Sequence, residues 1–431
     1  MSAPAPRDRS LIDHTGRSYF PIAFIARLPF AMMVVGVLTL VVSATGSVAL
    51  GGLTSAAVGI GTVIAGPLVG DAVDRLGQRR VLVPLGLVNS ALLAAFPFVV
   101  FSGSAEWMLL LSALLIGLSA PQAAAMSRSR MIAIIGNLLS PHRRERTFSR
   151  TMAYESAADE TAFVIGPVVV GILASFIAPW APIAGAAVLS FVFVTAFALH
   201  PTARAGAGTH ADAGPAEIAP ARELLRAPVL VLVAATFAVG MFFGSTLTSL
   251  TAFMEEQGDV DSAALLYGLM GIGSAVLALA VAVLPARFAL RWRWLLFSGV
   301  LAVATLGFTL SGSVPAVTVM LCIMGLGVGP TLVTLFSLAG TRSPVGRSAT
   351  IMTVLGSAMA LAQSLAAAVT GAVAESVGAG AAMVLPLVAA VLAFALGVVN
   401  LVVERRARVA SSSVAAVPAS VPAAPLRAAV E

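Results

Sequence analysis

The sequence contains no lysine: all 25 of its basic residues are arginine. It has one cysteine, four histidines and three tyrosines in 431 residues, and only 10% of it is charged. Each scarcity excludes something. The lone Cys322 rules out an internal disulfide. His14, His142, His200 and His210 stand apart in polar intervals with no cysteine near them, so neither a metal site nor any other cofactor is expected. There is no G-x-x-x-x-G-K-[ST], hence no ATP site of that kind, and no G-x-S-x-G. The chain is therefore not expected to be an enzyme. Soluble domains carry about 25% charged residues, so the shortage of charge also argues against a soluble domain.

What the chain has in abundance is apolar length. It is 59% hydrophobic, with a mean hydropathy of +1.00. A membrane-spanning helix needs about 20 mostly apolar residues. Twelve windows qualify: 20–43, 46–70, 81–102, 107–126, 151–175, 181–199, 228–252, 262–285, 293–311, 314–338, 349–374 and 378–402. An all-α membrane protein of twelve transmembrane helices is predicted, with short loops joining antiparallel neighbours. With twelve spans, every arginine but Arg27 falls on one face: Arg7, Arg9 and Arg17, then Arg75, Arg79 and Arg80, and so on to Arg427. The opposite loops carry Glu106, Glu255, Glu256, Asp259, Asp261 and Glu375. The positive-inside rule then places both termini in the cytoplasm. The net charge of +6 is this bias, a match for anionic lipid headgroups rather than nucleic acid.

The polar interval 200–227 divides the spans into two sets of six. The predicted layout is an N-terminal arm (1–19), a first bundle (20–199), a linker (200–227), a second bundle (228–403) and an Ala/Pro/Ser/Val-rich disordered tail (404–431). No cleavable signal peptide is read at the start. The stretch 129–139, with apolar residues at helical spacing between arginines, reads as a short amphipathic helix on the membrane surface. The segment Pro285–Arg293 occupies in the second half the place that 70–80 occupies in the first.

Two charged constellations stand out. The segment Gly70-Asp71-Ala-Val-Asp74-Arg75-Leu-Gly77-Gln78-Arg79-Arg80 joins spans 2 and 3. Gly70 and Gly77 allow close packing and a tight turn, and Asp74 near the membrane boundary can cap a helix N-terminus or pair with arginine. A solvated turn that only sets topology is the other reading. In span 5, Glu155, Asp159 and Glu160 lie about 6 Å and 12–14 Å from a start near Thr151. A charged group at the centre of a lone span costs on the order of 2.5–3.5 kcal/mol to insert, so three carboxyls do not face lipid. Arg27 in span 1 lies at comparable depth, about 10 Å in, and is the expected counter-ion if spans 1 and 5 are neighbours. One arginine cannot neutralise three acids, which leaves two readings open: a structural ion-pair network, or a proton site with at least one acid protonated or hydrated. With every histidine in a loop, an intramembrane proton site has to be a carboxylate. Further along span 5, Gly166-Pro167 with Gly171 permits a kink and close packing.

The pattern G-x-x-x-D-R-x-G-x-R-R, the six-plus-six layout and the G-P-x-x-x-G run together resemble the major facilitator superfamily. Ala26-Arg27-Leu-Pro29 and Asp159-Glu160-x-x-Phe163-Val-Ile-Gly166-Pro167 look like actinobacterial drug or sugar efflux members, and an arginine- and alanine-rich, lysine-free composition fits a GC-rich genome. The resemblance implies two pseudo-symmetric halves of six helices around a central cavity, with spans 1 and 5 as neighbours. It gives Asp74 and Arg75 the role of a conformational latch against the other half, with Arg79 and Arg80 at the headgroups. Gln78, where the family often has a basic residue, and the extra Asp71 depart from its pattern. The run at 166–171 resembles an antiporter motif, G-P-x-x-G-G, with altered spacing. Mapped on the helices that line the family's cavity, Gln122, Met241, Phe242, Phe243, Thr246, Tyr267 and Gln363 become candidate substrate contacts, each equally explicable as helix packing. So apolar a wall suits hydrophobic or amphiphilic compounds. The expectation is a monomeric transporter in a bacterial plasma membrane, coupling efflux to protons by alternating access. The alternative is a symporter or facilitator importing a small nutrient such as a sugar.

Overall fold

A computed structural model describes residues 9–204, 218–258, 262–285 and 288–415, and all regular structure among them is helical. Readings placed on Arg7, His210, Asp259, Asp261, Arg287 and Arg427 fall outside these residues. Two short helices, Leu11–Thr15 and Tyr19–Ile25, lead into α1 (Leu28–Thr45). Then follow α2 (Val48–Leu76), α3 (Gln78–Phe101), α4 (Glu106–Leu118, resuming as Ala123–Leu138), α5 (Pro141–Phe176) and α6 (Ala181–Leu199). The second half comprises α7 (Ala227–Glu256), α8 (Ser262–Ala280), α9 (Leu290–Thr309), α10 (Val314–Arg342), α11 (Ser348–Val377) and α12 (Val384–Ala415). Helices dominate because an apolar surrounding offers backbone groups no other partner.

Eleven of the helices among the described residues are long and apolar enough to cross a membrane, where the sequence predicts twelve. The difference is the window 262–285. Its helix stops at Ala280, a single 3-10 turn covers Val281–Val283, and Leu284 is extended with ψ 140°. Leu284 precedes Pro285, and proline disfavours helical backbone in the residue before it. At the other end of this half, α12 runs on to Ala415, past the expected helix end near 402 and into the segment expected to be a disordered tail.

Two further departures shape the site. The segment 70–80 is barely a loop: α2 continues to Leu76, α3 begins at Gln78, and Gly77 alone makes the turn. Its φ of 85° is open to glycine and strained for other residues, and its N–H closes α2 on the Val73 carbonyl at 2.8 Å. Asp71 and Asp74 therefore project from the last turns of a helix. The expected surface helix at 129–139 is instead part of the continuation of α4 beyond Pro121. Ser127, Arg128, Ser129, Arg130 and Met131 on it are all buried, and α5 starts ten residues earlier than the window at 151. Apolar spacing misled here because these polar residues are buried by helices from elsewhere in the chain.

The two halves meet where α2 and the continuation of α4 pack on α11, and where α5 packs on α8 and α10.

Candidate functional site

The first contact between the halves is built by small residues. At Gly70 a Cβ would stand 2.2 Å from Thr353 Oγ1 and 2.8 Å from the Thr350 Cα, and at Gly66 2.0 Å from Ser357 Oγ. Only bare backbone lets α2 approach α11 this closely. The approach brings Asp74 to the N-terminus of α11. Its carboxylate accepts hydrogen bonds from the Ala349 N–H at 2.9 Å, the Thr350 N–H at 2.7 Å and the Thr350 hydroxyl at 2.6 Å. These N–H groups have no partner within their helix, and the N-terminal end of a helix favours negative charge. Asp71, one turn back, accepts from Arg75 at 2.7 Å and is also bonded by Arg347, the residue just before α11. Arg347 donates through Nε to the Ala219 carbonyl at 2.7 Å, which ties in the end of the linker. Arg79 and Arg80 are exposed. Gln78 is buried, donating to the Met126 carbonyl at 3.0 Å and to Ser129 at 2.8 Å, and accepting from Arg130 at 2.8 Å.

The second contact surrounds the acids of α5. Arg27 bonds Glu155, reaches Asp159 at 2.6 Å, and donates to the Ala23 carbonyl at 2.6 Å. Arg128 takes the other Asp159 oxygen at 2.6 Å. Glu155 is fully buried and accepts in addition from Ser127 at 2.8 Å, itself bonded to Tyr19 at 2.8 Å. Two guanidiniums thus meet two carboxylates. Glu160 is left over: no salt bridge to it is formed among the described residues, and its Oε1 is buried without a well-formed hydrogen bond. Ser274 of α8, in the other half, is within hydrogen-bonding reach of the Glu160 carboxyl, and Tyr267 of the same helix is within its electrostatic reach. Arg128 also crosses between the halves, its guanidinium 3.7 Å from the centre of the Phe336 ring on α10. Such a cation–π contact is worth about 2 kcal/mol when desolvated.

Arg130 is fully buried and forms no salt bridge among the described residues. It donates to the Phe197 carbonyl at 3.0 Å and to Thr202 at 3.1 Å, and stacks 3.9 Å from the Phe197 ring centre. Beyond α6, burial and the nearby Arg130 charge hold the His200 imidazole below its ordinary pKa.

Further along α5, Gly166 seats α5 on α1, where a Cβ would meet the Ala31 Cβ at 2.7 Å, while Gly171 faces open space. Pro167 sits within the continuous α5. Gly166→Ala is expected to lower stability by about 1–3 kcal/mol through overpacking. Gly171→Ala should be neutral, or stabilising by up to about 1 kcal/mol through helix propensity. Thermal unfolding in detergent checks the pair, and equal shifts would contradict this assignment of packing.

The seven candidate substrate contacts differ in burial. Phe242 and Thr246 are buried, Met241, Phe243, Tyr267, Gln122 and Gln363 half-buried. Gly240 and Gly244 press α7 onto the Met359 and Gln363 carbonyls of α11, which accounts for burial on that face of α7. An open apolar groove of about 560 Å³ lies between α9 and α10, and none of the seven lines it.

The sequence pointed to Arg27 and the acids but missed Arg128, Ser127, Phe336, Asp71 and Arg347. A signal for Arg128 was available: two acids more than Arg27 could neutralise called for a second cation.

This helical architecture, with glycine-packed contacts between halves and buried charge, is that of a membrane transporter. The chain matches the model of the Major Facilitator Superfamily over residues 19–367 and belongs to that superfamily. Among solved structures, the human organic anion transporter MFSD10 (TETRAN) superposes with a TM-score of 0.68 at 18% identity, covering 90% of this chain and 100% of that one. A bacterial homologue of the iron transporter ferroportin, in an outward-facing state, gives 0.70 at 16% identity, covering 88% and 97%. At such identities the likeness speaks for the fold. No curated protein matches the chain in sequence.

Proposed function

We propose that this protein is a proton-coupled exporter of small hydrophobic or amphiphilic compounds that works by alternating access, with its arginine-rich face and both termini in the cytoplasm. The observation that carries the reading is Glu160. An ionised carboxylate buried without a partner is costly, and a neutral acid is not. Glu160 is therefore the group on α5 that can take up and release a proton without first breaking a salt bridge. Its place between α5 and α8 makes that proton count in the contact between halves. The Asp74 latch and the Arg128–Phe336 contact keep the arginine-rich face closed, and transport requires both to open. Partly buried Met241, Phe243 and Tyr267 suit an apolar substrate better than a sugar, which needs more hydrogen-bond partners.

The test is transport by purified protein in liposomes under an imposed pH gradient. Glu160→Gln is expected to abolish gradient-driven transport while leaving expression and substrate-independent folding intact. Undiminished transport by this variant removes Glu160 from the mechanism. Accumulation of substrate in intact cells, in place of depletion, identifies import.

A further inference from the structure

Two buried groups of the second contact lack a partner among the described residues. One is the free Oε1 of Glu160, the other the Nε–H of Arg128, buried and without an acceptor. Arg128 lies within electrostatic reach of Glu160 while bonded to the adjacent Asp159. The same guanidinium lies over Phe336. Among the described residues, the polar and charged groups that act on Glu160 are Asp159 from its own helix, Arg128 from α4, and Tyr267 and Ser274 from α8. The stretch of α10 from Gly325 to Ala339 contains no titratable residue. Arg27 is committed to Glu155 and Asp159. Arg128 is thus the cation placed to answer a change of charge on Glu160.

We propose that Arg128 is the positioning residue that reads the proton on Glu160 and passes its state to the other half through Phe336. With Glu160 protonated, Arg128 holds Asp159 and stacks on Phe336, and the halves stay joined at the arginine-rich face. Loss of the proton to water leaves a second carboxylate beside Arg128. The guanidinium turns its free Nε–H to Glu160, leaves the Phe336 ring, and the contact between α4 and α10 opens. No other bond is made or broken. This inference rests on the reading that Glu160 carries the proton.

The experiment measures the distance between halves by double electron–electron resonance on full-length protein in nanodiscs. Spin labels go on Arg146→Cys and Val345→Cys, both exposed at the arginine-rich end, in a Cys322→Ser background. The parent is expected to lengthen this distance as pH rises, and Glu160→Gln to lose the lengthening and stay short. Phe336→Leu should be long at every pH. Phe336→Tyr and Phe336→Trp, which keep an aromatic face, should restore the parent response and guard against misfolding. A parent-like pH response in Phe336→Leu, or no pH response in the parent, overturns the proposal. Transport separates the two readings: if Glu160→Gln stops gradient-driven transport while Phe336→Leu behaves as the parent, only the role of Arg128 and Phe336 fails.

Discussion

Arg27→Ala is expected to leave little folded protein in the membrane. Arg27 supplies the sole cation bonded to Glu155 among the described residues, and Glu155 has no exposed surface. Removing one partner of a buried pair leaves the other charge uncompensated, at about 3–5 kcal/mol. Asp159 keeps Arg128, so the damage concentrates at Glu155, where the Ser127 hydroxyl is the only remaining donor among the described residues. Replacing both members with apolar side chains of similar size removes the uncompensated charge. The double variant Arg27→Met, Glu155→Leu should therefore recover much of the yield. Fluorescence-detected size exclusion and thermal unfolding compare the parent, the single and the double variants. A single variant as abundant and as heat-stable as the parent would show that the pair contributes nothing. The recovered double variant also separates the two readings that the sequence leaves open for these acids. Gradient-driven transport by a protein without Arg27 and Glu155 makes that pair structural and leaves coupling to Glu160. Failure of transport in a well-folded double variant returns the pair to the mechanism.

The meeting of Arg27 with Glu155 and Asp159 illustrates what a sequence of this kind reveals. In an apolar surrounding every charge needs a partner, so a lone arginine in span 1 and acids at similar depth in span 5 point to one another once the superfamily resemblance sets those two spans side by side. The same rule, carried further, demanded a second cation. It could not say which, because Arg128 stands in a Ser-Arg-Ser-Arg run whose local polarity is that of a loop. Its burial comes from α5 and α10 closing around the continuation of α4. Asp71 was unreadable for a related reason: its partner Arg347 lies 276 residues away, and nothing in the spacing of either segment marks the other. The turn at Gly77 misled in the opposite sense. Five charged residues in eleven read as a loop, yet Asp71, Asp74 and Arg75 extend α2 by another turn because α11 and its flanking Arg347 supply partners for the acids. Hydropathy windows find the apolar part of a helix and stop where polar residues begin, whereas helices here continue wherever those polar residues are bonded.

Asp74→Asn should release that end of the molecule. The carboxylate accepts three hydrogen bonds from the start of α11, two from backbone N–H groups and one from the Thr350 hydroxyl. An amide presents one carbonyl oxygen in place of two charged ones and adds an N–H₂ that faces donors. It also removes the negative charge from a helix N-terminus. Hydrogen bonds to charged groups contribute about 1.5–3 kcal/mol each. Asp71 remains on Arg347 and limits the loss, so a net change of about 2–3 kcal/mol in the balance between closed and open forms is expected, a shift of roughly 30–150-fold. All of it falls on the state in which α2 and α11 touch, because the bonds exist only there. The variant should fold normally, expose its arginine-rich face, and transport slowly because it returns poorly to the closed form. Labelling of a cysteine placed at the buried Thr353, against Gly70, by a membrane-impermeant maleimide reads this directly in inside-out vesicles. Labelling should be slow with Asp74 present and faster by more than tenfold in the Asp74→Asn variant. Equal labelling rates would mean that the α2–α11 contact holds without the carboxylate. The small-residue packing at Gly66 and Gly70 would then be what closes that face.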